Sequence, residues 1–586
     1  MNILRFFLCL LGISLLQTLP SQPLNRSLHR QPINLGDKLL ATTINGAWLI
    51  GGSTGQYMGY PSFRPWLALA DASGNLVWER YLDDAEAVEL GQINSLSEDP
   101  LADVFYVVGS VSGCDYLIPG ALYMLDKNGQ TLWYKPSDPF YNPIGTALPL
   151  QGLLVGEKGL GAVEWHSMSG NVVVPVDFGA EFGLQLVEMI TAGINTAALL
   201  GRNQLLLTQW ADGEVQMASR IQLEGGRSIS LASSGRLVVL AEEKVYLLDD
   251  SLSVLKEQNL SAYGSFGKVS CRDNRCYVAG QTPEGRYIAL NLDAELNVLQ
   301  TIAMGSGYNF PTDIAARETG LVALGNALPQ PTETAPFVNQ SLFSTSKGSD
   351  IFLLSWDESG NPAASQRDIV VERVAVGQRE VGITPEGCLP FGGGYMQGNF
   401  SGVEVEVRNQ GNVPIDRIEL NTVFVPCWFI CYTQQNFSRT FDGLSLMPGE
   451  STTLNFGDIQ TFPLPLQNTL ELCIWASGPD GWLDDDFSDN NACLSLVVSE
   501  KEEPVLGGIH LFPNPASDFL EIRFDTPLAA VVELKVLNAL GQCLYREALS
   551  PGQSAVRLPV EQLPAGLYYL AVQMGQDLKT LPWAKR

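Results

Sequence analysis

One strand–turn unit, repeated along the chain, constrains the fold more than any other feature of the sequence. Ala47-Trp-Leu-Ile-Gly-Gly-Ser is followed by Pro65-Trp-Leu-Ala-Leu-Ala-Asp-Ala-Ser-Gly-Asn-Leu-Val-Trp78. Asp103-Val-Phe-Tyr-Val-Val-Gly-Ser is followed by Ala121-Leu-Tyr-Met-Leu-Asp-Lys-Asn-Gly-Gln-Thr-Leu-Trp133. Each unit has an apolar strand ending in Gly, a loop, a second strand ending in Asp, then a Gly turn and a third strand. The Asp-x-x-Gly element reads as a tight hairpin in which Asp caps the turn and Gly takes positive φ. Degenerate copies are Trp165 to Gly170-Asn171, Trp210-Ala-Asp212-Gly213, Leu247-Leu-Asp249-Asp250 with Ser251, Leu292-Asp293 to Leu296-Asn297, and Trp356-Asp357 to Gly360-Asn361, which makes seven turns in all. Most are spaced at roughly the 40–50 residues of a four-stranded blade. The last interval holds a Pro- and Thr-rich insert at 327–347.

Strands at this spacing suit a β-propeller, whose closed ring leaves little exposed sheet edge. The units resemble degenerate exported bacterial propellers with repeats of the form apolar-Gly-Gly, then apolar-Asp-x-x-Gly-x-x-x-Trp. That resemblance implies a propeller over residues 33–370, with seven blades by the count of turns. A sandwich or a β-helix is the competing arrangement, the latter with shorter and stricter periods. Gly at 57 residues, Pro at 34 and only 17% charged residues agree with an all-β chain rich in turns.

The repeat stops after Asn361. In Gly402-Val-Glu-Val-Glu-Val-Arg-Asn409, Val403, Val405 and Val407 alternate with Glu404, Glu406 and Arg408, the period of a half-buried strand. Further strands over 417–425, 451–456, 470–476 and 492–498 suit an immunoglobulin-like β-sandwich at 371–498. Val405 to Val413, Leu446-Met-Pro-Gly-Glu-Ser451 and Asp485 to Asn491 resemble the CARDB-type domain, the cell-adhesion-related domain in bacteria. The resemblance implies an adhesion module or a spacer. A charged linker, 499–507, ends this part of the chain.

Residues 508–586 read as a small all-β domain. Leu511-Phe-Pro-Asn-Pro-Ala-Ser-Asp518 enters a strand, Val532 to Gly541 forms a strand that turns at Gly541, and Leu563-Pro-Ala-Gly-Leu-Tyr568 opens another. This module resembles the type A sorting domain of type IX secretion. Pro513, Asn514 and Pro515 match its initial turn, Gly541 its central turn, and Leu563, Pro564, Gly566 and Tyr568 its Leu-Pro-x-Gly-x-Tyr segment. Lys585 and Arg586 match its basic tail, although Leu581-Pro582-Trp583 departs from the usual ending. The resemblance implies a small C-terminal β-sandwich that engages the type IX secretion machinery and delivers the chain to the cell surface or beyond.

The other end agrees with export. Residues 1–21 have one Arg, the apolar run Phe6–Leu16 and a polar exit, the pattern of a secretory signal peptide. That run is too short to span a bilayer comfortably, and no later segment is a transmembrane candidate. Export makes disulfides permissible. Cys271-Arg-Asp-Asn-Arg-Cys276 reads as a hairpin closed by a bridge, and Cys473 and Cys493 flank the acidic turn on adjacent strands. Cys427 and Cys431 would lie ~13 Å apart in an extended strand, too far to bond, so they need a turn or another partner such as Cys388.

A net charge of −28 argues against binding nucleic acid. It suits calcium, cationic partners, neutral glycans or simple solubility. Asp484, Asp485, Asp486 and Asp489 crowd hard oxygen ligands into one loop and are the candidate calcium ligands, without the EF-hand spacing; a solvated hairpin is the plainer reading. With only three His (His29, His166, His510), a triad or a multi-His metal site finds no support. Gly51-Gly-Ser53-Thr-Gly55 has the spacing of a nucleophile elbow, but strands flank it where a helix should follow. The expectation is therefore an exported surface or secreted binding or adhesion protein with a glycan or extracellular protein ligand on its propeller. The alternative is a polysaccharide hydrolase or lyase with its site in the propeller channel.

Overall fold

The structure is a computed structural model that describes residues 25–28, 34–55, 63–82, 92–110, 120–140, 142–211, 213–232, 235–304, 309–327, 350–363, 367–384, 394–424, 435–467, 469–484, 486, 488–497, 508–528, 531–539, 541–574 and 577–586. The signal segment, the insert, the 499–507 linker, Asp212, Asp485, Cys388, Cys427 and Cys431 therefore lie outside the described residues. No described helix is long and apolar enough to cross a membrane. The chain divides into two compact units, Met1–Leu466 with Glu471–Leu494, and Gln467–Leu470 with Ser495–Arg586.

Seven four-stranded antiparallel sheets make up most of the first unit. Six are consecutive in sequence, at 34–81, 92–136, 143–177, 186–222, 226–259 and 265–303. The innermost strands are Asn34–Ala41, Gln92–Asp99, Pro143–Leu148, Leu186–Gly193, Gly226–Leu231, Ser265–Arg272 and Asn309–Arg317. Each contacts the next, and the last contacts the first. The ring is thus closed, and the fold is a seven-bladed β-propeller.

The seventh blade differs from the expected limits. Its outermost strand is Asn25–Leu28, paired antiparallel with Asp350–Asp357. This strand precedes residue 33, where the propeller was expected to begin. Four residues without a turn signature carry no repeat signal, yet they close the ring by joining the two ends of the propeller chain.

The second and third strands of each blade explain the long apolar runs. They are buried on both faces, so successive side chains serve two different neighbours. Trp48 and Ile50 pack with Trp66, Leu324 and Leu353 toward the seventh blade. Leu49 packs with Leu67, Phe105 and Tyr123 toward the second. Each fully buried side chain of this kind contributes roughly 1.5–3 kcal/mol. Equivalent clusters fill the other five junctions.

The repeated turn follows the third strand of a blade and leads into the fourth, except in the seventh blade, whose fourth strand is Asn25–Leu28. In six blades its first residue donates its N–H to the carbonyl four residues on and accepts from the N–H three residues on, as in Asp71/Asn75/Gly74 and Asp357/Asn361/Gly360. The Asp carboxylate braces the loop: Asp126 Oδ1 accepts from Asn128 N (2.9 Å) and Gln130 N (2.8 Å). The last residue before closure takes positive φ at Gly74, Gly129, Gly170 and Gly360, and also at Leu252 (65°) and Leu296 (60°). Both leucines are buried, at 3% and 0% exposure. Burial worth roughly 1.5–3 kcal/mol offsets the roughly 1–2 kcal/mol cost of a left-handed non-glycine residue.

The Trp that ends the repeat links blades. Trp78 Nε1 donates to Lys127 O and Trp133 Nε1 to Met168 O, both at 2.9 Å and both in the next blade's turn. Gln300 and Arg26 make the equivalent reach to Ser359 O (2.5 Å) and Asn75 Oδ1 (3.1 Å).

The β-sandwich follows. One sheet holds Ile369–Thr384, Tyr395–Asn409, Ser451–Gln460 and Leu464–Pro465; the other holds Gln435–Phe441, Ile418–Phe424, Thr469–Ala476 and Asn491–Val497. Val403, Val405 and Val407 are all at 0% exposure. Asn409 fixes the Asn-x-Gly turn by donating to Val413 O and Leu446 O and accepting from Gly411 N. Trp482 sits against Arg26 of the closing strand, 3.9 Å from its guanidinium, and Leu483 joins Phe352 and Trp356 in one apolar cluster.

In the second unit, Ile509–Phe512, Phe519–Phe524 and Ala555–Pro559 form one sheet. Cys543–Leu549, Val532–Asn538, Gly566–Met574 and Asp577–Lys585 form the other. Leu520, Ile522, Val532, Leu534 and Leu570 fill the core between them.

Candidate functional site

The inner strands form the wall of the propeller channel, where each presents a sheet edge with unpaired N–H and C=O groups. Side chains from neighbouring blades satisfy many of them. Asp37 Oδ2 accepts from Ile93 N (3.0 Å), Ser95 Oγ from Gly145 N (3.1 Å), and Glu188 Oε2 from Ile229 N (2.8 Å). Ser228 Oγ accepts from Val269 N (3.2 Å), Ser270 Oγ from Ala316 N (2.9 Å), and Asp313 Oδ2 from Leu39 N (3.0 Å). Thr191 Oγ1 donates to Ala147 O across the remaining junction. Register shifts at Gly36/Lys38, Leu186/Glu188, Phe266/Lys268 and Pro311/Asp313 mark bulges at this level of the strands, a device that re-aims side chains.

Charged groups from five blades converge here. Lys268 Nζ lies 2.5 Å from Glu188 Oε1 and 3.7 Å from Asp313 Oδ1. Their side-chain exposures are 21%, 23% and 5%, so the cluster is largely withdrawn from water. Burial alone would raise the Glu188 pKa, but the Lys268 ammonium, the Ile229 N–H and Lys38 leave it below the ordinary value. Lys268 is held above its ordinary value by Glu188 and Asp313 in spite of burial. Asp37 is pushed up to about 7 by burial, against the Ile93 N–H bond and Lys38. Lys158 is lowered by the surrounding protein and by Lys38 and Lys268, with Glu188 opposing. None of these residues stands out in sequence, because they lie far apart along the chain and share no spacing signal.

The acidic loop of the sandwich braces structure. Asp484, at 4% exposure, accepts from Ile369 N (2.9 Å) through Oδ2 and from Asp486 N (3.0 Å) through Oδ1. Burial, with Asp368 nearby, raises its pKa well above the carboxylate range. Asp486 Oδ1 accepts from Ser488 N and Oγ. Asp489 is lifted to about 6 by burial and by Asp368 and Asp486. Among the described residues no group of three or more His, Cys, Asp or Glu is spaced to hold a metal. Asp485 is outside that set.

The two hairpin bridges are formed. Cys271 and Cys276 face each other across paired strands and are joined, with Cα atoms 4.1 Å apart. Cys473 and Cys493 are joined with Cα atoms 4.0 Å apart. Cys543 is an exposed free thiol. His166 is buried beside Glu164 (3.2 Å), and His510 pairs with Asp525 (2.9 Å). Ser53 is a buried strand residue within Trp48–Gly55, so Gly51–Gly55 forms no elbow.

In the C-terminal unit the motif residues hold the two chain ends of the module together. Pro513 and Pro515 both follow cis peptide bonds. Asn514 Oδ1, between them, accepts from Ala584 N (3.0 Å). Gly541, at φ 77°, closes a turn with Asn538 of the same hydrogen-bond pattern as the blade turns. Leu563 packs against the core, and Tyr568 Oη donates to Pro564 O (2.8 Å). Gly566 begins the strand Gly566–Met574, where it pairs with Lys585. Tyr568 stacks on Trp583 at 5.1 Å, and Trp583 is 1% exposed. The departure from the usual ending thus places a core residue in the last strand.

No curated protein matches the chain. Solved structures similar to it include a virginiamycin B lyase from Staphylococcus aureus, at 10% identity over 57% of this chain and 98% of that one, TM-score 0.39. The Neurospora crassa Pan2 WD40 domain matches at 10% identity over 57% and 97%, TM-score 0.34. An extracellular domain of a hybrid two component system from B. thetaiotaomicron matches at 9% identity over 96% and 99%, TM-score 0.31. Likeness at this level says nothing about ligand or activity. Residues 510–581 match the secretion system C-terminal sorting domain. That module marks the chain for export by type IX secretion, to the cell surface or the surroundings.

Proposed function

We propose that this chain is an exported binding protein, with the propeller as its ligand-binding face and the sandwich as an adhesion or spacer module. One observation carries the choice of binding over catalysis. The carboxylates that converge in the channel already have partners: Glu188 and Asp313 share Lys268 and each accepts a backbone N–H from a neighbouring blade. Glycosidic cleavage calls for two carboxylates free to act as acid and as base or nucleophile. Here the acids hold blades together.

The test is a panel of glycans and extracellular proteins presented to the secreted protein, scored for retention and for released product. Retention without product is expected. Product that disappears on Asp37→Asn or Glu188→Gln, in a variant that keeps its fold by circular dichroism, would replace this reading with the hydrolase or lyase.

A further inference from the structure

In six blades the fourth strand follows the third directly in sequence and pairs with it as a hairpin. The seventh blade lacks that support. Its fourth strand, Asn25–Leu28, is four residues long, lies at the sheet edge and comes from the opposite end of the propeller chain. A short edge strand with no turn joining it to its partner is where a closed ring opens at least cost. Whatever holds this strand beyond its ladder with Asp350–Asp357 therefore decides how firmly the ring is closed.

A segment of the sandwich reaches it at three successive points. Gly478 lies against Ser27: a Cβ added to Gly478 would be 2.3 Å from Ser27 Cβ. The φ of Gly478 is −49°, so the close approach requires the glycine and the backbone conformation does not. Trp482 takes the Arg26 guanidinium over its ring at 3.9 Å, while the same arginine donates to Asn75 Oδ1 of the first blade (3.1 Å). Leu483, 4% exposed, packs in one cluster with Phe352, Leu354 and Trp356. Phe352 and Leu354 are the register partners of Ser27 and Asn25.

The segment is itself fixed to the sandwich. Asp480 Oδ2 accepts from Arg367 Nε (2.8 Å), and its Oδ1 accepts from Asp416 N (3.0 Å) and Arg417 N (2.8 Å). Asp480 N donates to Arg417 O (2.9 Å). These bonds hold Asp480 at φ 52°, a conformation a non-glycine residue keeps only where its surroundings impose it. Arg367 also lies over the Trp482 ring, at 5.0 Å. Trp482 is thus presented to the closing strand from a braced frame.

We propose that the sandwich is a clasp on the propeller ring, with Gly478–Leu483 as the strap that holds the closing strand in place. The seventh blade then opens when the strap lifts, and secure closure needs a segment from the far end of the same compact unit. This role is additional to binding and stands whether or not the propeller takes a ligand.

The experiment is hydrogen exchange read by mass spectrometry on the full secreted chain, comparing peptides over Asn25–Leu28 and Asp350–Asp357 with the third blade, Pro143–Asp177. Trp482→Ala should speed exchange of the first two about tenfold, the factor set by loss of one partly buried cation–π contact, and leave the third blade unchanged. Arg26→Gln/Trp482→Ala should open no further than Arg26→Gln alone, because the two side chains act through one contact. Unchanged exchange at both strands in Trp482→Ala would overturn the clasp. An equal rise in the third blade would overturn it too, since the effect would then be general destabilisation. Additive opening in the double variant would overturn the assignment to Arg26. Should Trp482→Ala not be secreted, Gly478→Ala decides instead: it leaves Arg26 and Trp482 in the chain but wedges the strap from Ser27, and native protection of both strands in that variant would overturn the proposal.

Discussion

Replacing Lys268 with Met tests whether the channel cluster holds the propeller together. At an effective dielectric constant of ~20, the attraction of Lys268 to Glu188 at 2.5 Å is about 7 kcal/mol and to Asp313 at 3.7 Å about 4 kcal/mol, before desolvation is subtracted. Much of that gross attraction is cancelled by the cost of taking three charges out of water. What the substitution exposes is the remainder plus two stranded carboxylates, and removing one partner of a buried pair costs about 3–5 kcal/mol. The pH dependence identifies the cause. In the native protein the Glu188 pKa is depressed from 4.5, so its stabilising contribution is complete above about pH 4.5 and is lost as pH falls through the folded value. Without Lys268 the same buried carboxyl keeps only the weaker pull of Lys38 and takes up a proton more readily. The deficit of Lys268→Met should therefore be largest near pH 8 and shrink toward pH 4. Urea denaturation followed by Trp fluorescence at several pH values measures it, and Lys268→Met/Glu188→Gln should recover at least about 1 kcal/mol at pH 8. A deficit under about 1 kcal/mol, or one equal at pH 5 and pH 8, would refute the reasoning.

Other sites give sharper local tests. Asp37, raised from 3.8 to about 7 by burial, contributes stability that is complete below its unfolded pKa and declines as pH rises toward 7. Asp37→Asn should remove that decline, gaining up to about 4 kcal/mol above pH 7, as a difference in denaturation midpoint that grows between pH 4 and 7. Gly129 and Gly213 both have positive φ, but a Cβ on Gly129 would lie 2.9 Å from the Trp78 ring, while on Gly213 it would meet nothing nearer than 4.0 Å. Gly129→Ala should thus lower the melting temperature clearly more than Gly213→Ala. Leu296→Gly should relieve about 1 kcal/mol of left-handed strain yet lose about 2–3 kcal/mol of burial, for a net loss near 1–2 kcal/mol on chemical denaturation. Deletion of 508–586 should leave the protein in the periplasm, as cell fractionation would show; normal surface delivery would contradict the assigned export route.

What could be read from the sequence follows from what each interaction needs. The Asp-x-x-Gly turn depends on near neighbours, so its residues stand together at Asp71, Asp126 and Asp357 and expose the repeat. Its degenerate forms hide because Leu252 and Leu296 meet the same backbone requirement by burial, which leaves no mark on residue type. The closing strand Asn25–Leu28 is hidden for a different reason: its register partners, such as Leu354 for Asn25, lie at the far end of the propeller chain. The channel cluster is the extreme case. Lys38, Lys158, Glu188, Lys268 and Asp313 lie far apart in sequence and come near one another only because seven inner strands close on one axis. The net charge of −28 is a sum over the whole chain and does not locate charge within the ring. Cationic partners and neutral glycans are what that average suggests. Ligand preference is set by the charges that face the ligand, so the sum over the whole chain does not decide among those classes.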